Sequence, residues 1–448
     1  MSSNNMIAIR DNADAGGMDR RRFFLAAGTA AGGAALAGGL RRAGAGTIEA
    51  VSGERTAGGT GLGVANEEEL DRVAALPVLK TDGLTSPVVI DSIRLLKKGK
   101  DHLVHVRSKD GAEGLSFVNE SRGEMFAAML KELVIPFFKG KDARDWENLL
   151  WELYRWKSNY KMYGLAFWSA QAWVEFAVLD MLGRIAGKPM GAMLGEVVRS
   201  EVPIYVASGR RDTTPQQEVE FLQSLLERSG AKALKFRVGG RMSRNADAMP
   251  GRTDTLIPLV RKTFGEGIDI HADANSSYDP TKAIEVGRML EEIKAVYFEE
   301  PCPFDHLGDT KKVADALDIP IACGEQEFSD WRHKWMIANR GVDVVQTDLY
   351  YYGGLVRAIR VARMARAAKL PITLHLSGGF GFVYMLHFAS CVENIGKYQE
   401  YKLGNETYGS LFEPAIKVKD GKMSIPNGPG VGIKDPTDLL RGAVEVKG

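Results

Sequence analysis

Short apolar runs alternate with longer amphipathic stretches over the second half of the chain. The runs predict β-strands because they are short and rich in β-branched residues, whereas stretches such as 281–293 and 355–368 have helical periodicity. The predicted strands cover 202–207, 233–238, 268–274, 295–300, 319–324, 342–349, 372–376 and 397–402. Strands that alternate with helices in this way are typical of a parallel β/α repeat.

A polar residue stands at or near the end of seven of these runs. The seven are Lys235, Asp273, Glu299, Glu325, Asp348, His375 and Glu400. From Asp273 onward the intervals are 26, 26, 23, 27 and 25 residues, the length of one strand-loop-helix-loop unit. A (β/α) barrel gathers the C-terminal ends of its strands around one mouth. We therefore expect these side chains to share a site.

Three of these residues, Asp273, Glu299 and Glu325, are carboxylates on consecutive predicted strands. Carboxylates that converge at one mouth repel one another unless a cation lies between them. The simplest such cation is a hard divalent metal. The competing interpretation, unrelated carboxylates on solvated loops, is disfavoured by the regular spacing.

The composition is that of a large enzyme. With 448 residues and 45% hydrophobic content, the chain can bury a large core and form more than one domain. The 58 Lys and Arg nearly balance the 57 Asp and Glu, which gives no sign of a nucleic-acid partner. The three cysteines are scattered and predict neither a disulfide framework nor a zinc cluster.

The first 45 residues resemble a twin-arginine export signal. Residues 19–25 read Asp-Arg-Arg-Arg-Phe-Phe-Leu, and the Ala/Gly-rich stretch 23–40 is too weakly apolar to be a membrane anchor. Small residues at 43–45 offer a cleavage site. We predict export to the periplasm without stable membrane association after processing, and a linker at 46–86 with one helix near 66–75. The alternative is a tail that happens to contain arginines.

Two features of the remaining sequence favour packing rather than binding. Five tryptophans between 146 and 173 predict helix-helix packing more than a ligand platform. Four arginines on the predicted helix 355–368 form a basic stripe, which we interpret as a solvated outer face. They are Arg357, Arg360, Arg363 and Arg366.

Several motifs in order carry a resemblance to a known family. The segments 298–301 (Phe-Glu-Glu-Pro), 323–325 (Cys-Gly-Glu) and 348–354 (Asp-Leu-Tyr-Tyr-Tyr-Gly-Gly) look like its successive strand ends. Segments 187–195 and 425–430 look like those that lead into and close its barrel. From about residue 88 to 440 the chain resembles the enolase superfamily, in its mandelate racemase subgroup.

The resemblance implies a fold, a cofactor and an assembly. The fold would be α/β, a modified (β/α)7β TIM barrel at 201–403 with an α+β capping domain at 87–200, to which 404–448 returns. The ligands of Mg²⁺ would be Asp273, Glu299 and Glu325, since carboxylate oxygens suit this ion. The substrate would be a small carboxylate, and the protein would be a homo-oligomer.

The candidate base is His375. A histidine in an apolar run is usually a core residue, but Asp348 on the preceding strand can accept a hydrogen bond from its ring and fix the tautomer. The resemblance makes Glu400 an acid that donates a hydrogen bond to the substrate carboxylate, which requires a raised pKa. A strand-end salt bridge is the competing interpretation for Glu400.

The second predicted strand departs from the family pattern. Members of the subgroup commonly carry Lys-x-Lys there, whereas this chain has Lys235-Phe236-Arg237, with both cations on the mouth side. Arginine is a poor proton acceptor, so His375 is left as the one usable base. We therefore expect a sugar-acid dehydratase that makes a 2-keto-3-deoxy acid. Lys235 would act in catalysis, and Arg237 and Asn275 would bind substrate.

Other functions remain open. If Lys235 were a second base, the enzyme would be a racemase or epimerase of a 2-hydroxy acid. A muconate-lactonising or dipeptide-epimerase type is disfavoured, since those members carry lysine on the late strands. An exported glycoside hydrolase could use Glu299 and Glu400, but His375 and Lys235 would then lack roles.

Overall fold

The computed structural model describes residues 66–119 and 122–446. The predicted export signal and residues 46–65 of the predicted linker lie outside the described residues. Among the helices within these two ranges, none combines the length and apolar character that crossing a membrane requires.

Eight strand positions close into a barrel. The strands of the chain are β1 (Ile90–Lys98), β2 (Asp101–Ser108), β3 (Glu113–Phe117), β4 (Glu201–Ala207), β5 (Ala233–Arg237), β6 (Asp269–Asp273), β7 (Tyr297–Glu299), β8 (Ile321–Cys323), β9 (Val344–Val345), β10 (Gln399–Tyr401), β11 (Val418–Lys419), β12 (Lys422–Ser424) and β13 (Val444–Glu445). Strands β4 to β9 pair in chain order and β10 pairs with β4, all in parallel. The seventh position is held by the isolated bridges Val345–Ile372 and Asp348–His375. The predicted α/β barrel class is confirmed.

The helices cover the barrel and the separate sheet formed by β1, β2, β3 and β13. They are α1 (Glu67–Ala74), α2 (Arg122–Met125), α3 (Ala127–Met129), α4 (Ile135–Phe138), α5 (Trp146–Arg155), α6 (Leu165–Ala186), α7 (Pro215–Ser229), α8 (Arg252–Phe264), α9 (Pro280–Glu292), α10 (Leu307–Ala316), α11 (Asp330–Ala338), α12 (Leu355–Ala367), α13 (Gly381–Cys391), α14 (Glu406–Gly409) and α15 (Pro436–Leu440). Helix α7 begins with a capping box between Thr214 and Gln217, and the Asp279 side chain caps α9. Local sequence therefore sets where these barrel helices begin.

A separate antiparallel sheet, in the order β13-β1-β2-β3, forms the α+β part of the fold. Helix α6 packs on β2 and β3 and is buried along most of its length. Its Asp180 accepts backbone N–H bonds from Leu115 (2.9 Å) and Val431 (2.8 Å). Because β13 pairs with β1, the end of the C-terminal segment belongs to this sheet, whereas β11 and β12 of the same segment extend the barrel sheet beside β4.

The described part of the predicted linker is docked rather than free. Helix α1 packs against α12 with Leu70 fully buried. The guanidinium of Arg363 donates to the carbonyls of Leu76 (2.6 Å) and Pro77 (2.9 Å). Residues 66–86 are thus held on the barrel by apolar burial and by these hydrogen bonds.

The basic stripe on α12 is not a solvated face, and that interpretation was wrong. The guanidinium of Arg357 is buried, stacks 3.7 Å from the ring centre of Trp168 and lies 2.9 Å from Asp330. Arg360 pairs with Glu147 of α5 at 2.8 Å. The outer face of α12 is covered by α1 and by capping helices over most of its length, whereas the last arginine of the stripe, Arg366, is 59% exposed and pairs with Glu393.

Three of the five tryptophans are buried in helix packing, namely Trp146, Trp168 and Trp173. Two of their indole N–H groups reach buried acceptors. Trp146 donates to Glu175 at 2.8 Å, and Trp173 donates to Asn119 at 2.9 Å. Trp151 is 40% exposed and lies outside this core.

Candidate active site

Three carboxylates meet at the barrel mouth, the end where the carboxyl termini of the parallel strands lie. Asp273 ends β6, Glu299 ends β7 and Glu325 follows β8. One oxygen from each lies within 4.8 Å of the others, and all three side chains are buried. The register aligns Asp273 with Glu299 directly. The structure thus brings the three residues of the predicted metal site together.

A glycine turn directs Glu325 into the mouth. Gly324 has φ +129°, and a Cβ there would lie 2.3 Å from the carbonyl oxygen of Gln346. Residues other than glycine rarely adopt this conformation, and backbone this close leaves no room for a side chain. This turn therefore requires the glycine of the Cys-Gly-Glu sequence.

Two cations lie against the carboxylates. The Nζ atom of Lys235 is fully buried, 2.7 Å and 2.8 Å from the two oxygens of Glu299, 3.1 Å from Glu400 and 3.6 Å from Asp273. Arg237 forms an ion pair with Asp273 and donates from Nε to the carbonyl of Ser208 at 3.0 Å. Both side chains of the Lys-x-Arg strand enter the mouth, as their alternation requires.

The electrostatics fit a divalent cation. The carboxylate oxygens of Asp273, Glu299 and Glu325 are buried within 4.8 Å of one another, and their mutual repulsion would be relieved by a cation between them. Burial and the charge of Glu400 would raise the pKa of Glu299, but the charges of Lys235 and Arg237 and the hydrogen bond from Lys235 together outweigh them and lower that pKa. In addition, Oε2 of Glu325 is buried without a hydrogen-bond partner. Three carboxylates with a free oxygen form a donor set suited to Mg²⁺.

A histidine and an aspartate form a pair beside the triad. His375 Nδ1 lies 2.8 Å from Asp348 Oδ2, and because a carboxylate can only accept, the ring donates its N–H there. Asp348 Oδ1 accepts the backbone N–H groups of Tyr350 (2.8 Å) and Tyr351 (3.0 Å), which fixes its orientation. The other ring nitrogen, Nε2, lies 3.6 Å from Glu325. The ring therefore presents Nε2 to the mouth.

The environment of His375 favours its charged form. Burial would lower its pKa, but the charge of Glu325, the hydrogen bond to Asp348 and the charge of Glu400 together raise it, against Lys402. A histidine that gains a proton readily is suited to act as a base, provided it is neutral at the start.

The predicted protonated state of Glu400 is contradicted. Burial would raise the pKa of this carboxyl, but the charges of Lys235, Lys402, His375 and Arg237 outweigh burial and lower it. The carboxylate accepts the backbone N–H of Leu376 at 2.8 Å and lies 3.1 Å from Lys235. Glu400 is therefore an ionised hydrogen-bond acceptor in this arrangement, because the buried ammonium group of Lys235 stabilises its charged form.

Comparison with known proteins identifies the family. The family model described as enolase C-terminal domain-like matches residues 217–436. The structure of a candidate racemase from Roseobacter denitrificans is 34% identical, covers 80% of this chain and 99% of its own, and has a TM-score of 0.74. The chain belongs to the enolase superfamily.

Other relatives in the superfamily bear names of two activities. A mandelate racemase/muconate lactonizing protein of Paracoccus denitrificans, complexed with magnesium, is 25% identical over 80% of this chain and 98% of its own, with a TM-score of 0.73. Arabinonate dehydratase of Saccharolobus solfataricus is 27% identical over 68% of this chain and 79% of that protein. L-talarate/galactarate dehydratase of Salmonella typhimurium is 26% identical over 74% and 79%. The chain is an enolase-superfamily enzyme of dehydratase or racemase type.

The predicted substrate residue Asn275 lies beside the triad of this superfamily member. Its backbone N–H donates to Asp273 Oδ1 at 2.7 Å. Its amide NH₂ faces Asp273 (3.3 Å) and Glu300 (3.4 Å), and its amide oxygen accepts from Arg211. Asn275 therefore links the carboxylates to a further cation.

Sequence reasoning missed three residues of the enolase-superfamily site. Gln346 donates to Glu299 at 3.0 Å, and its position two residues before Asp348 on a predicted strand could have revealed it. Burial, with the charges of Glu325 and Glu299, raises the pKa of Glu300 well above its usual value. Arg211 lies in the loop after β4, and no sequence pattern marks it.

Proposed function

We propose that the chain is a Mg²⁺-dependent lyase acting on a sugar acid. It removes the proton on the carbon next to the carboxylate and eliminates the β-hydroxyl group, which gives a 2-keto-3-deoxy acid. Sugar-acid dehydratases among the relatives, such as those for arabinonate and galactonate, support this class of substrate.

The observation that carries the proposal is the single base. The pair of His375 and Asp348 offers one ring nitrogen to the mouth. The second strand offers Lys235 and Arg237, and both are ion-paired to buried carboxylates. The surrounding carboxylates raise the pKa of Lys235 despite its burial, so it is a poor proton acceptor. A reaction that needs one face of the substrate, elimination, suits this arrangement better than racemisation.

The proposed steps use one proton. Neutral His375 takes the α-proton on Nε2, and the electron pair of the broken C–H bond forms a Cα–Cβ double bond. The bond from Cβ to its oxygen breaks, and the imidazolium returns the proton so that the group leaves as water. Asp348 stabilises the charged ring throughout. The enol product then tautomerises to the 2-keto acid.

The other residues hold and balance charge. Asp273, Glu299 and Glu325 would hold Mg²⁺, which would bind the substrate carboxylate and stabilise the negative charge that develops there. Lys235 fixes Glu299 and Glu400, and we propose that its charge also faces the substrate carboxylate. Arg237 is a permanent cation at the same wall and cannot take a proton.

A racemase or epimerase is the second candidate. The 34% identity with the candidate racemase of Roseobacter denitrificans favours it. It would require Lys235 to lose its proton while three carboxylates surround its Nζ atom. The glycoside-hydrolase alternative is disfavoured further, because Glu299 and Glu400 both bind Lys235.

The test is a screen of the Mg²⁺-loaded protein against a library of acid sugars. Formation of a 2-keto-3-deoxy acid, detected as its semicarbazone, is the expected result, and interconversion of configuration without loss of water would favour the racemase. His375→Asn should form no product. His306→Asn, which replaces an exposed histidine paired with Asp309, is the matched control and should retain activity.

A further inference from the structure

Two arginines approach Asn275 from the loops that follow β4 and β5. Arg211 donates from Nη2 to the amide oxygen of Asn275, and Nη2 of Arg241 lies 3.4 Å from the same atom. The other end of this amide faces Asp273 and Glu300. The two guanidinium groups therefore lie one amide side chain away from the acidic triad.

The two arginines have no carboxylate of their own. Within residues 66–119 and 122–446, neither Arg211 nor Arg241 forms an ion pair, and the Nε atom of half-buried Arg211 is buried without a hydrogen-bond partner. Burial, with the nearby charges of Arg237, Arg241 and Arg252, lowers the pKa of Arg211 to about 9, against the opposite influence of Glu325. This part of the mouth has unbalanced positive charge.

Hydrogen bonds hold both loops in place. Arg252 Nε donates to the carbonyl of Thr213 at 2.8 Å, which ties down the loop that carries Arg211. The backbone N–H of Met242 donates to the carbonyl of Asn275 at 3.0 Å, beside Arg241. Loops tied to strand ends in this way present their side chains in a fixed geometry.

We propose that Arg211 and Arg241 form a subsite for a second anionic group, a carboxylate or a phosphate at the far end of the sugar acid. The subsite deepens the proposed function and rests on it. Guanidinium groups bind such anions through paired charge-assisted hydrogen bonds. A substrate that ends in a hydroxymethyl group would leave these donors poorly satisfied, so the subsite selects diacids or phosphorylated acids.

The experiment measures binding of matched ligand pairs to the full chain in Mg²⁺ by isothermal titration calorimetry. Galactarate and galactonate differ only in whether the far end is a carboxylate, and 6-phosphogluconate and gluconate differ only in the phosphate. We expect the wild type to prefer the ligand with the second anionic group in one pair, which identifies the anion. In Arg211→Met this preference should fall by about 10- to 100-fold.

Two further variants keep the test sharp. Arg241→Met alters an exposed side chain, so the fold should be unaffected. This variant should weaken binding of the same preferred ligand. Arg210→Met is the matched control, because Arg210 is exposed and stacks 3.5 Å from the ring centre of Phe221, away from Asn275. The subsite would be overturned if the wild type bound both ligands of each pair with equal affinity. It would also be overturned if Arg211→Met and Arg210→Met reduced the preference equally.

Turnover assayed in parallel separates this inference from the proposed function. Dehydration of galactonate or gluconate without an Arg211-dependent preference overturns the subsite and leaves the function standing. An Arg211-dependent preference without dehydration of any acid overturns the function and supports the subsite. Neither result overturns both.

Discussion

At the scale of single residues, the chemistry depends on which groups can accept a proton. The hydrogen bond from Nδ1–H of His375 to Asp348 leaves Nε2 free to accept a proton when the ring is neutral, and Asp348 is held by two backbone N–H groups. Lys235 and Arg237 also lie close to the carboxylates, but both form ion pairs with them. The division between one base and two fixed cations underlies the predictions on this site.

The first prediction concerns the base. His375→Asn should abolish both dehydration and exchange of the substrate α-proton with D₂O, a loss on the order of 10²- to 10⁴-fold. Asp348→Asn should also lower kcat, since the ring loses the acceptor that fixes its tautomer. Turnover and NMR-detected exchange are the measurements. Exchange that survives in His375→Asn would reveal a second base and favour the racemase.

The second prediction concerns the metal ligands. Loss of a residue that only orients a metal ligand typically weakens binding by about 10- to 100-fold. Glu299→Gln should weaken Mg²⁺ binding by more than this, because it removes a charged ligand itself. Titration calorimetry with MgCl₂ measures this, and circular dichroism checks the fold. Glu266→Gln is the control, since this glutamate is exposed and pairs with Lys294. Full activity of the wild type in a chelator would rule out the metal site.

At the scale of elements, buried histidines link packing to pH. His387 of α13 accepts the backbone N–H of Gly191 on Nδ1 (3.3 Å) and faces the carbonyl of Val431 with Nε2 (3.1 Å). The Nδ1 contact requires the neutral ring, whose N–H then donates from Nε2, and burial lowers the pKa of His387 from 6.5 to about 4. The helix is thereby tied to the segments before and after the barrel.

The third prediction follows from this shift. The unfolded chain binds the proton more readily, so the stability that His387 contributes is present above pH 6.5 and is lost as pH falls toward 4. In His387→Gln, the free energy of unfolding should depend less steeply on pH in that range, by about 1.4 kcal/mol per unit. Urea unfolding at several pH values measures the slopes. Identical slopes would mean that His387 is not held neutral.

At the scale of the whole molecule, export rests on residues outside the described part of the chain. We propose that Arg21 and Arg22 direct the folded protein across the membrane, with cleavage near Ala45. Changing both to Lys should retain the protein in the cytoplasm, although Arg20 could substitute in part. Cell fractionation and N-terminal sequencing measure this. If the wild-type protein were found uncleaved in the cytoplasm, the segment would be a tail and not an export signal. The homo-oligomer also stays a prediction.

The sequence by itself determined the barrel and the composition of its mouth. Each β/α unit needs a nearly constant length, and each strand delivers its last side chain to the same end, so spacing predicts both order and location. That is why Asp273, Glu299 and Glu325 could be predicted as neighbours from their numbers alone. The Asp348–His375 pairing followed for the same reason, because adjacent strands place their ends side by side.

The tertiary structure decided what these residues face. The ionisation of Glu400 depends on Lys235, which lies 165 residues earlier in the chain, and no local pattern reports that contact. Arg357, Arg360 and Arg363 of α12 bind neighbouring segments because α1 and capping helices cover a face that is polar by sequence. Arg211 enters the mouth through an irregular loop that has no period to read. Periodicity fixes the direction of a side chain within its own element, whereas its charge and partners depend on elements brought together by folding.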